Sequence, residues 1–465
     1  MKIFKSLLIL FVLLSQISCN DNDAVASQDF VIAFKEQSVD FSTIENSKTI
    51  QLTFSEKAAY AGSVTLNWTA DQATYNTDFE TFPNASSGQL TLDFAAGAAG
   101  VSFEFKNLIF PFDRSDKAVT FKITSINYGA PAVIQGYSSL LVSFDRAIGG
   151  TVLPDVGGPN QPNQVFVDLS TNQVVLSRRD LWDFGFYSGS EDRVVLNGSL
   201  YMAATALDQN NIDAVTPASV QGLINQVAVG TFDPTNENYI DDPKGDISET
   251  AIAEISANTA DNKVYLVNMG YEIGTATPPV GSVAIAGASR GFKKIQIQKT
   301  AAGYKLLYAN LEDTTHREMD IQKRPDYNFT FVSVTNHNQP QVEPLKDKWD
   351  LCFTVFTNVI PGNGSYGYSD FVLFNRKAGV KMYQVNTTQV SYANFNASHL
   401  EEQRFVLDQR VIGADWRDVF TGGAFTDRFY ILKDTDGNVY KIKMLSMINT
   451  SGWRGYPSFE YRLVE

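Results

Sequence analysis

From Phe30 to Phe144 apolar and polar positions alternate in short runs. These are Ile50, Leu52 and Phe54; Val64, Leu66 and Trp68; Leu90, Leu92 and Phe94; Val101, Phe103 and Phe105; Val119, Phe121 and Ile123; and Leu140, Val142 and Phe144. A period of two places every second side chain on one face of a strand. Gly62, Gly88, Gly97, Pro111 and Gly129 fall between the runs as turn residues. Strands of this length and spacing predict an antiparallel β-sandwich over residues 29–148.

The alternation then lapses. Gly149-Gly-Thr-Val-Leu-Pro-Asp-Val-Gly-Gly-Pro-Asn-Gln-Pro162 combines Gly and Pro without periodicity and predicts an exposed linker over residues 149–164. From Val165 the strand pattern resumes, so residues 165–465 are expected to form a second, larger, mostly antiparallel β domain. Val165–Leu176 reads as strand, turn and strand, and Lys263–Asn268, Phe292–Lys299, Tyr304–Asn310 and Tyr327–Val334 as further strands. Asp370–Asn375, Val380–Val385, a hairpin over Asp427–Met444 turning at Asp436-Gly437, and a strand over Arg454–Leu463 complete the set. Asp208–Asn262 is polar and interrupted by Pro217 and Pro243; it predicts a short helix over Ala218–Val227 and excursions over the surface. His399 opens a helical turn.

Two segments share one signature. Arg179–Gly189 (R-D-L-W-D-F-G-F-Y-S-G) and Lys348–Asn358 (K-W-D-L-C-F-T-V-F-T-N) each set Trp before Asp. Alternating hydrophobic residues follow, Phe184 and Phe186 in one and Leu351 and Phe353 in the other, before a loop bearing Gly or Asn. A repeated unit and two similar strand starts are both open readings.

With 465 residues the chain has room for about two or three domains. Its net charge of −14, with no cluster of Lys and Arg, excludes a nucleic-acid groove. Lys2 and Lys5, the apolar run Leu7–Leu14 and the small residues before Cys19 have the layout of a secretory signal over residues 1–19. That run is too short to span a bilayer. Ser18-Cys19 resembles a bacterial lipobox, in which the Cys is acylated and becomes the mature N-terminus. Asn20-Asp-Asn-Asp23, in an acidic tether over residues 20–28, resembles the signal that sends Bacteroidota lipoproteins to the outer face of the outer membrane. These resemblances imply lipidation at Cys19 and attachment to the outer membrane, facing the cell exterior; an ordinary secretory signal with an incidental Cys is the other reading. With Cys19 acylated, Cys352 has no disulfide partner, and its place between Leu351 and Phe353 marks a buried, inert thiol.

No Gly-x-Ser-x-Gly, His-Glu-x-x-His or phosphate loop occurs, and three scattered His residues do not make a multi-His metal centre. Carboxylate pairs such as Asp241-Asp242 sit in polar loops, where solvation is expected. Asp434–Asn438 lacks the later bidentate Glu of a calcium loop. No enzyme is expected.

Ala73-Thr-Tyr-Asn-Thr-Asp78-Phe79, Gly88-Gln-Leu-Thr-Leu-Asp-Phe94 and Gly97–Phe105 resemble the Calx-beta type of immunoglobulin-like module. In that family loop carboxylates bind calcium, and Asp78, Glu80, Asp113 and Asp116 are the nearest equivalents. The family's consecutive acidic run is replaced by Asn107-Leu-Ile-Phe110. Solvated carboxylates are therefore expected, and the module reads as a spacer that lifts the rest of the chain off the membrane.

Lys348-Trp-Asp-Leu-Cys-Phe-Thr, Asp370-Phe-Val-Leu-Phe-Asn-Arg-Lys-Ala-Gly-Val-Lys, Asp427–Lys443 and Arg454-Gly-Tyr-Pro-Ser-Phe-Glu-Tyr resemble the HmuY family of Bacteroidota surface lipoproteins, from about Val165 to the end. The resemblance implies a mostly β domain that binds haem or a related porphyrin for uptake, without chemistry on it, and passes it to a TonB-dependent outer-membrane receptor. In that family one axial ligand lies just after the later Trp-Asp, which falls at Thr354, and a second lies on a loop downstream. His399 is the candidate for the second ligand and Met382 for a donor from a neighbouring strand, although its alternation with Val380 equally marks core. His316 and His337 stand in polar turns, Met202 follows the first Trp-Asp element, and Tyr366 and Tyr368 could wall a pocket or ligate. The reading from another class is a non-enzymatic surface module that binds a protein or glycan and has lost the haem site.

Overall fold

The computed structural model describes residues 29–464, apart from 41–46, 72, 86, 109–116, 144–148 and 171–172. Cys19, the signal, the acidic tether, and Asp113 and Asp116 lie outside the described residues.

The alternating runs of the first part form two five-stranded sheets. One carries, in order, Phe79–Phe82, Gly100–Asn107, Ser47–Phe54, Phe30–Phe34 and Ala132–Ile134; the other carries Ser38–Asp40, Ser139–Ser143, Ala118–Asn127, Gly62–Asp71 and Gln89–Phe94. Neighbours are antiparallel except where Phe30–Phe34 meets Ala132–Ile134 and Ser38–Asp40 meets Ser139–Ser143. The Gln89–Phe94 strand shows the design, with Leu90, Leu92 and Phe94 buried and the residues between them exposed. Rings fill the space between the sheets: Phe79 stacks on Phe105 at 5.1 Å, and Phe54 meets Phe30 and Phe94 edge-on at 5.0 and 4.8 Å. Each such ring contributes roughly 1.5–3 kcal/mol by burial. The loop carboxylates expected to be solvated are paired with lysine: Asp78 with Lys117 at 3.2 Å and Glu80 with Lys106 at 2.7 Å.

The stretch expected as an exposed linker begins instead as a buried strand. Gly149–Val152 is buried throughout and runs antiparallel to Arg454–Leu463, with Gly149 opposite Arg462 and Val152 opposite Phe459. Its other edge bonds the sandwich: Gln37 N–H donates to Gly149 O and Thr151 N–H to Lys35 O, both at 2.8 Å. The glycine serves close approach here, not flexibility, because a Cβ at Gly149 would lie 2.5 Å from the Tyr461 carbonyl oxygen. One strand is thus shared between the two parts.

Beyond it, Gly149–Val152 heads a seven-stranded sheet that includes Arg454–Leu463, Val439–Ile448, Arg428–Lys433 and Lys381–Asn386. A four-stranded sheet of Gln173–Arg178, Asn163–Asp168, Leu351–Ile360 and Gly364–Phe374 packs on it. Phe353 stacks on Phe459 at 5.4 Å between them. The first Trp-Asp element feeds a separate three-stranded sheet, Val194–Leu196, Phe184–Tyr187 and Phe329–Val332. That sheet shares a core with the five strands Ala203–Ala206, Val264–Asn268, Phe292–Lys299, Gly303–Asn310 and Arg317–Gln322. The molecule is therefore mainly β, a sandwich followed by a larger assembly of antiparallel sheets.

The Asp208–Asn262 insert departs from expectation in its helix. Only Pro217–Val220 is α-helical, opened by a reciprocal Thr216–Ser219 cap, and the chain continues as turns to the buried Val227. Gly222, poor in a helix interior, follows the C-cap Gln221. The helical turn at His399 is a pair of 3-10 turns, Ala397–His399 and Glu402–Arg404.

Candidate functional site

The two Trp-Asp elements divide their work in the same way. Asp183, fully buried, accepts the Val334 and Thr335 N–H groups at 2.8 and 3.3 Å and pairs with Arg290. Asp350 accepts the Leu169 N–H at 2.9 Å, while its own N–H donates to Val167 O at 2.8 Å. Each carboxylate pins a neighbouring loop, which fixes the strand start and aims the preceding Trp. Burial pushes the Asp350 carboxyl up to about 8.

Both indoles reach one aromatic cluster. Trp182 meets Phe331 edge-on at 4.8 Å and donates from Nε1 to Gln164 Oε1 at 2.9 Å; Trp349 meets Phe166 edge-on at 5.1 Å. With Val342, Cys352, Phe329 and Leu373 they form a small core between the three-stranded and four-stranded sheets. Within it lies a mostly apolar cavity of about 170 Å3 that Trp182, Trp349, Met202, Cys352 and Thr354 line.

Several polar groups on the cavity wall are bonded to one another, while the buried Trp349 Nε1–H has no protein acceptor. Glu343 accepts the Phe329 N–H at 2.9 Å and Asn328 Nδ2 at 3.3 Å, and Asn328 also donates to Asn375 Oδ1 at 3.0 Å. Burial pushes the Glu343 carboxyl up to about 7 and raises the Cys352 thiol far enough to keep it protonated at neutral pH. Thr354 is buried, and its hydroxyl donates to the Val355 carbonyl at 3.0 Å.

A strap from the insert, residues 241–250, covers one side. Asp241, expected to be solvated, roots it by accepting the Leu196 N–H at 2.7 Å and the Ala251 N–H at 3.0 Å, and burial pushes its carboxyl up to about 6. Polar contacts hold the far edge. Arg376 pairs with Asp246 at 2.9 Å and donates to Lys244 O at 3.0 Å, Lys377 Nζ donates to Gly245 O, and Gln409 Nε2 donates to Pro243 O at 3.0 Å. Burial holds the Lys377 ammonium down to about 8.

The sequence-predicted donors are dispersed. Met382 is fully buried with Val380, Trp416, Tyr430 and Leu432, its main chain bridged to Val406. His399 is exposed on its turn, its Nδ1 3.3 Å from the Asn396 N–H that donates to it, with its ring against Phe395. Neither lines the cavity. His316 lies 2.9 Å from Asp213, and His337 bonds Tyr308 at 3.1 Å. Met202 and Thr354 do line it. Sequence reasoning missed the strap and Glu343. Asp241-Asp242-Pro243, a turn signal after a polar run, was the trace of the strap; Glu343 left none.

The family model described as HmuY protein matches residues 160–461. The chain belongs to the HmuY family. The matched span contains both Trp-Asp elements, the strap and the whole cavity, so the HmuY region and the candidate site coincide. No curated protein matches the chain. Among solved structures, the apo-form Calx CBD1 domain is similar at 13% identity over 25% of this chain and 99% of that one, with a TM-score of 0.20. CBD12 from CALX1.2 is similar at 11% identity over 38% of this chain and 61% of that one, with a TM-score of 0.19. At those scores the sandwich rests on its own strand pairing. Among the described residues no helix is long and apolar enough to cross a membrane, and no group of three or more His, Cys, Asp or Glu side chains is placed to hold a metal ion.

A His-ligated haem iron does not fit the residues of this HmuY-family cavity. Iron takes strong donors such as imidazole, thioether or thiolate. The lining holds no His; its one thioether is Met202, its thiol is protonated, and the hydroxyls of Ser199, Thr250, Thr354 and Thr357 each donate to a protein oxygen. What the lining supplies is aromatic surface.

Proposed function

We propose that this chain is a surface-displayed, non-enzymatic capture protein, anchored through a lipid on Cys19. It takes haem or a related porphyrin between its two Trp-Asp elements and hands it to an outer-membrane receptor of the TonB-dependent kind. The observation that carries the reading is the convergence of Trp182 and Trp349, from separate sheets, on one mostly apolar cavity. Affinity comes from ring packing on the macrocycle and not from an axial His pair. The cavity, about 170 Å3, is smaller than the roughly 300–1,000 Å3 that encloses a drug-sized ligand. A porphyrin therefore requires the strap to swing out, which breaks the polar contacts it makes with Arg376, Lys377 and Gln409.

The test is a titration of the purified protein with haemin and with iron-free protoporphyrin, read by visible absorption and by tryptophan quenching. Comparable saturable binding of both, weakened at least tenfold by Trp349→Ala, is expected. If neither binds, the reading fails. The second reading, a family fold used for a protein or glycan after loss of the haem site, is favoured by Thr354 at the aligned ligand position, with its hydroxyl bonded to main chain.

A further inference from the structure

The hairpin Leu351–Ile360 and Gly364–Phe374 outruns its sheet. Asn163–Asp168 pairs only as far as Phe353, so from Thr354 outward the hairpin continues as a two-stranded ribbon. Opposed pairs Phe356–Tyr368 and Asn358–Tyr366 share one face of that ribbon.

A loop of the insert brings a further ring to this face. Phe232 lies 5.8 Å from Tyr366, which meets Tyr368 edge-on at 5.4 Å. Phe232 is 61% exposed and Tyr366 39%, so two ring faces look outward. The Phe232 backbone is left-handed, with φ of 55°, a conformation unfavourable for a bulky side chain. Its loop is nonetheless pinned: Gly230 N–H donates to Ser365 O at 2.9 Å, Ser365 N–H to Asn236 Oδ1, and Asn236 Nδ2 to Thr231 Oγ1 at 2.8 Å. Exposing the ring and straining its backbone both work against folding. Their coincidence on a rigid loop marks a surface kept for binding.

Polar groups beside the rings are fixed in plane. Arg410 grips Asp408 through two bonds of 2.9 and 2.8 Å and donates to Asn358 Oδ1 at 2.9 Å. Rigid ring faces next to a planar, charge-compensated set of amide, guanidinium and carboxylate complement a pyranose, which has an apolar C–H face and a rim of hydroxyls. The net charge of −14 disfavours polyanionic chains. We propose that the ribbon face built by Phe232, Tyr366, Tyr368, Asn358 and Arg410 is a binding site for a neutral oligosaccharide, adjoining the porphyrin cavity that Phe356 of the same ribbon helps to line.

The probes are maltoheptaose, cellohexaose, chitohexaose and mannohexaose, with heparin as the charged comparison, titrated into the full chain by calorimetry. At least one neutral sugar is expected to bind with a micromolar to low-millimolar Kd. Phe232→Ala and Tyr366→Ala should each weaken it at least tenfold, and Trp349→Ala should leave it within twofold. Phe232→Gly is the decisive variant, because it removes the ring while relieving the left-handed backbone. It should lose sugar binding and melt no lower than the parent. Binding of none of the neutral sugars, binding of heparin only, or neutral-sugar binding that survives Phe232→Gly overturns the proposal. Porphyrin titration of the same variants reads the cavity independently, so either site can fail alone.

Discussion

Asp370→Asn is expected to destabilise the HmuY-family region by about 3–5 kcal/mol, the range for removing one partner of a buried ion pair. The Asp370 side chain is fully buried and pairs with Arg454. It accepts Ser369 Oγ at 2.9 Å and Gln161 Nε2 at 2.6 Å, while its own N–H donates to Gln161 Oε1 at 2.9 Å. Its carbonyl accepts Trp416 Nε1 at 2.9 Å. One residue thus ties the segment before Asn163–Asp168 to the strand Gly364–Phe374, to Trp416 and to the last strand. Asn is the informative substitution because Asp370 has φ of 51°, a region that Asn tolerates. The change removes charge without adding backbone strain or a cavity, and leaves the Arg454 guanidinium buried and unpaired. Urea unfolding followed by tryptophan fluorescence measures it, and the thermal midpoint should fall by on the order of 10 °C. The double variant Asp370→Asn/Arg454→Met, which removes both charges at a backbone that Asn tolerates, should recover most of the loss. A loss under about 1 kcal/mol for Asp370→Asn, or a double variant as unstable as the single, would refute the reasoning.

Asp350 predicts a pH dependence. Its carboxyl is held up to about 8 by burial, above the roughly 3.9 of an exposed Asp, so the folded state binds the proton more tightly. That contribution is complete below about pH 4 and is lost as pH rises towards 8, on the order of a few kcal/mol in all. Asp350→Asn should flatten the decline and be more stable than the parent at pH 8.5 but not at pH 5; parallel stability curves would count against it. Gly149→Val should cost about 1–3 kcal/mol by forcing the shared strand away from Tyr461, and limited proteolysis should then cut between the sandwich and residue 152. Met382→Ala should cost about 2–5 kcal/mol as a core truncation yet leave porphyrin spectra unchanged, as should the nearly isoenergetic His399→Ala; a spectral shift in either would return that residue to the ligand set. Arg376→Ala with Lys377→Ala should speed both porphyrin capture and release and raise amide exchange over residues 243–249.

The sandwich was legible because each of its strands hides one face, so period-two alternation reports burial directly, as in Gln89–Phe94. The hairpin at Asp436-Gly437 was legible for the same local reason: Asp434 accepts the Asp436 and Asn438 N–H groups at 2.9 and 2.7 Å, and Gly437 takes φ of 86°. Where a residue's role depends on distant chain, the local pattern misled. Gly149-Gly150 has linker composition, and only Tyr461, far along the sequence, makes close backbone approach the reason for it. Asp241 has the sequence context of a solvated carboxylate, yet its partners are Leu196 and Ala251. The repeated Trp-Asp was visible, but that the two indoles share one cluster is a product of packing between sheets.

That packing also explains why the cavity keeps its shape without a metal ligand set. Its two walls belong to different sheets, each fixed by its own Asp, with Asp183 holding residues 334–335 and Asp350 holding Leu169. The strap joins the walls again, rooted on Leu196 beside the first Trp and latched to Arg376 and Lys377 beyond the second. Shape and access are therefore set by different residues: Asp183 and Asp350 fix the strand starts that carry the indoles, and Asp241, Arg376 and Lys377 hold the strap. A pocket so divided can change the occupant it admits through the strap and the donor it offers at position 354 while the two Trp-Asp elements and their sheets stay as they are. On this argument the cavity gains its form from the two Trp-Asp elements, and Thr354, bonded to its own main chain, adds no free hydroxyl donor to it.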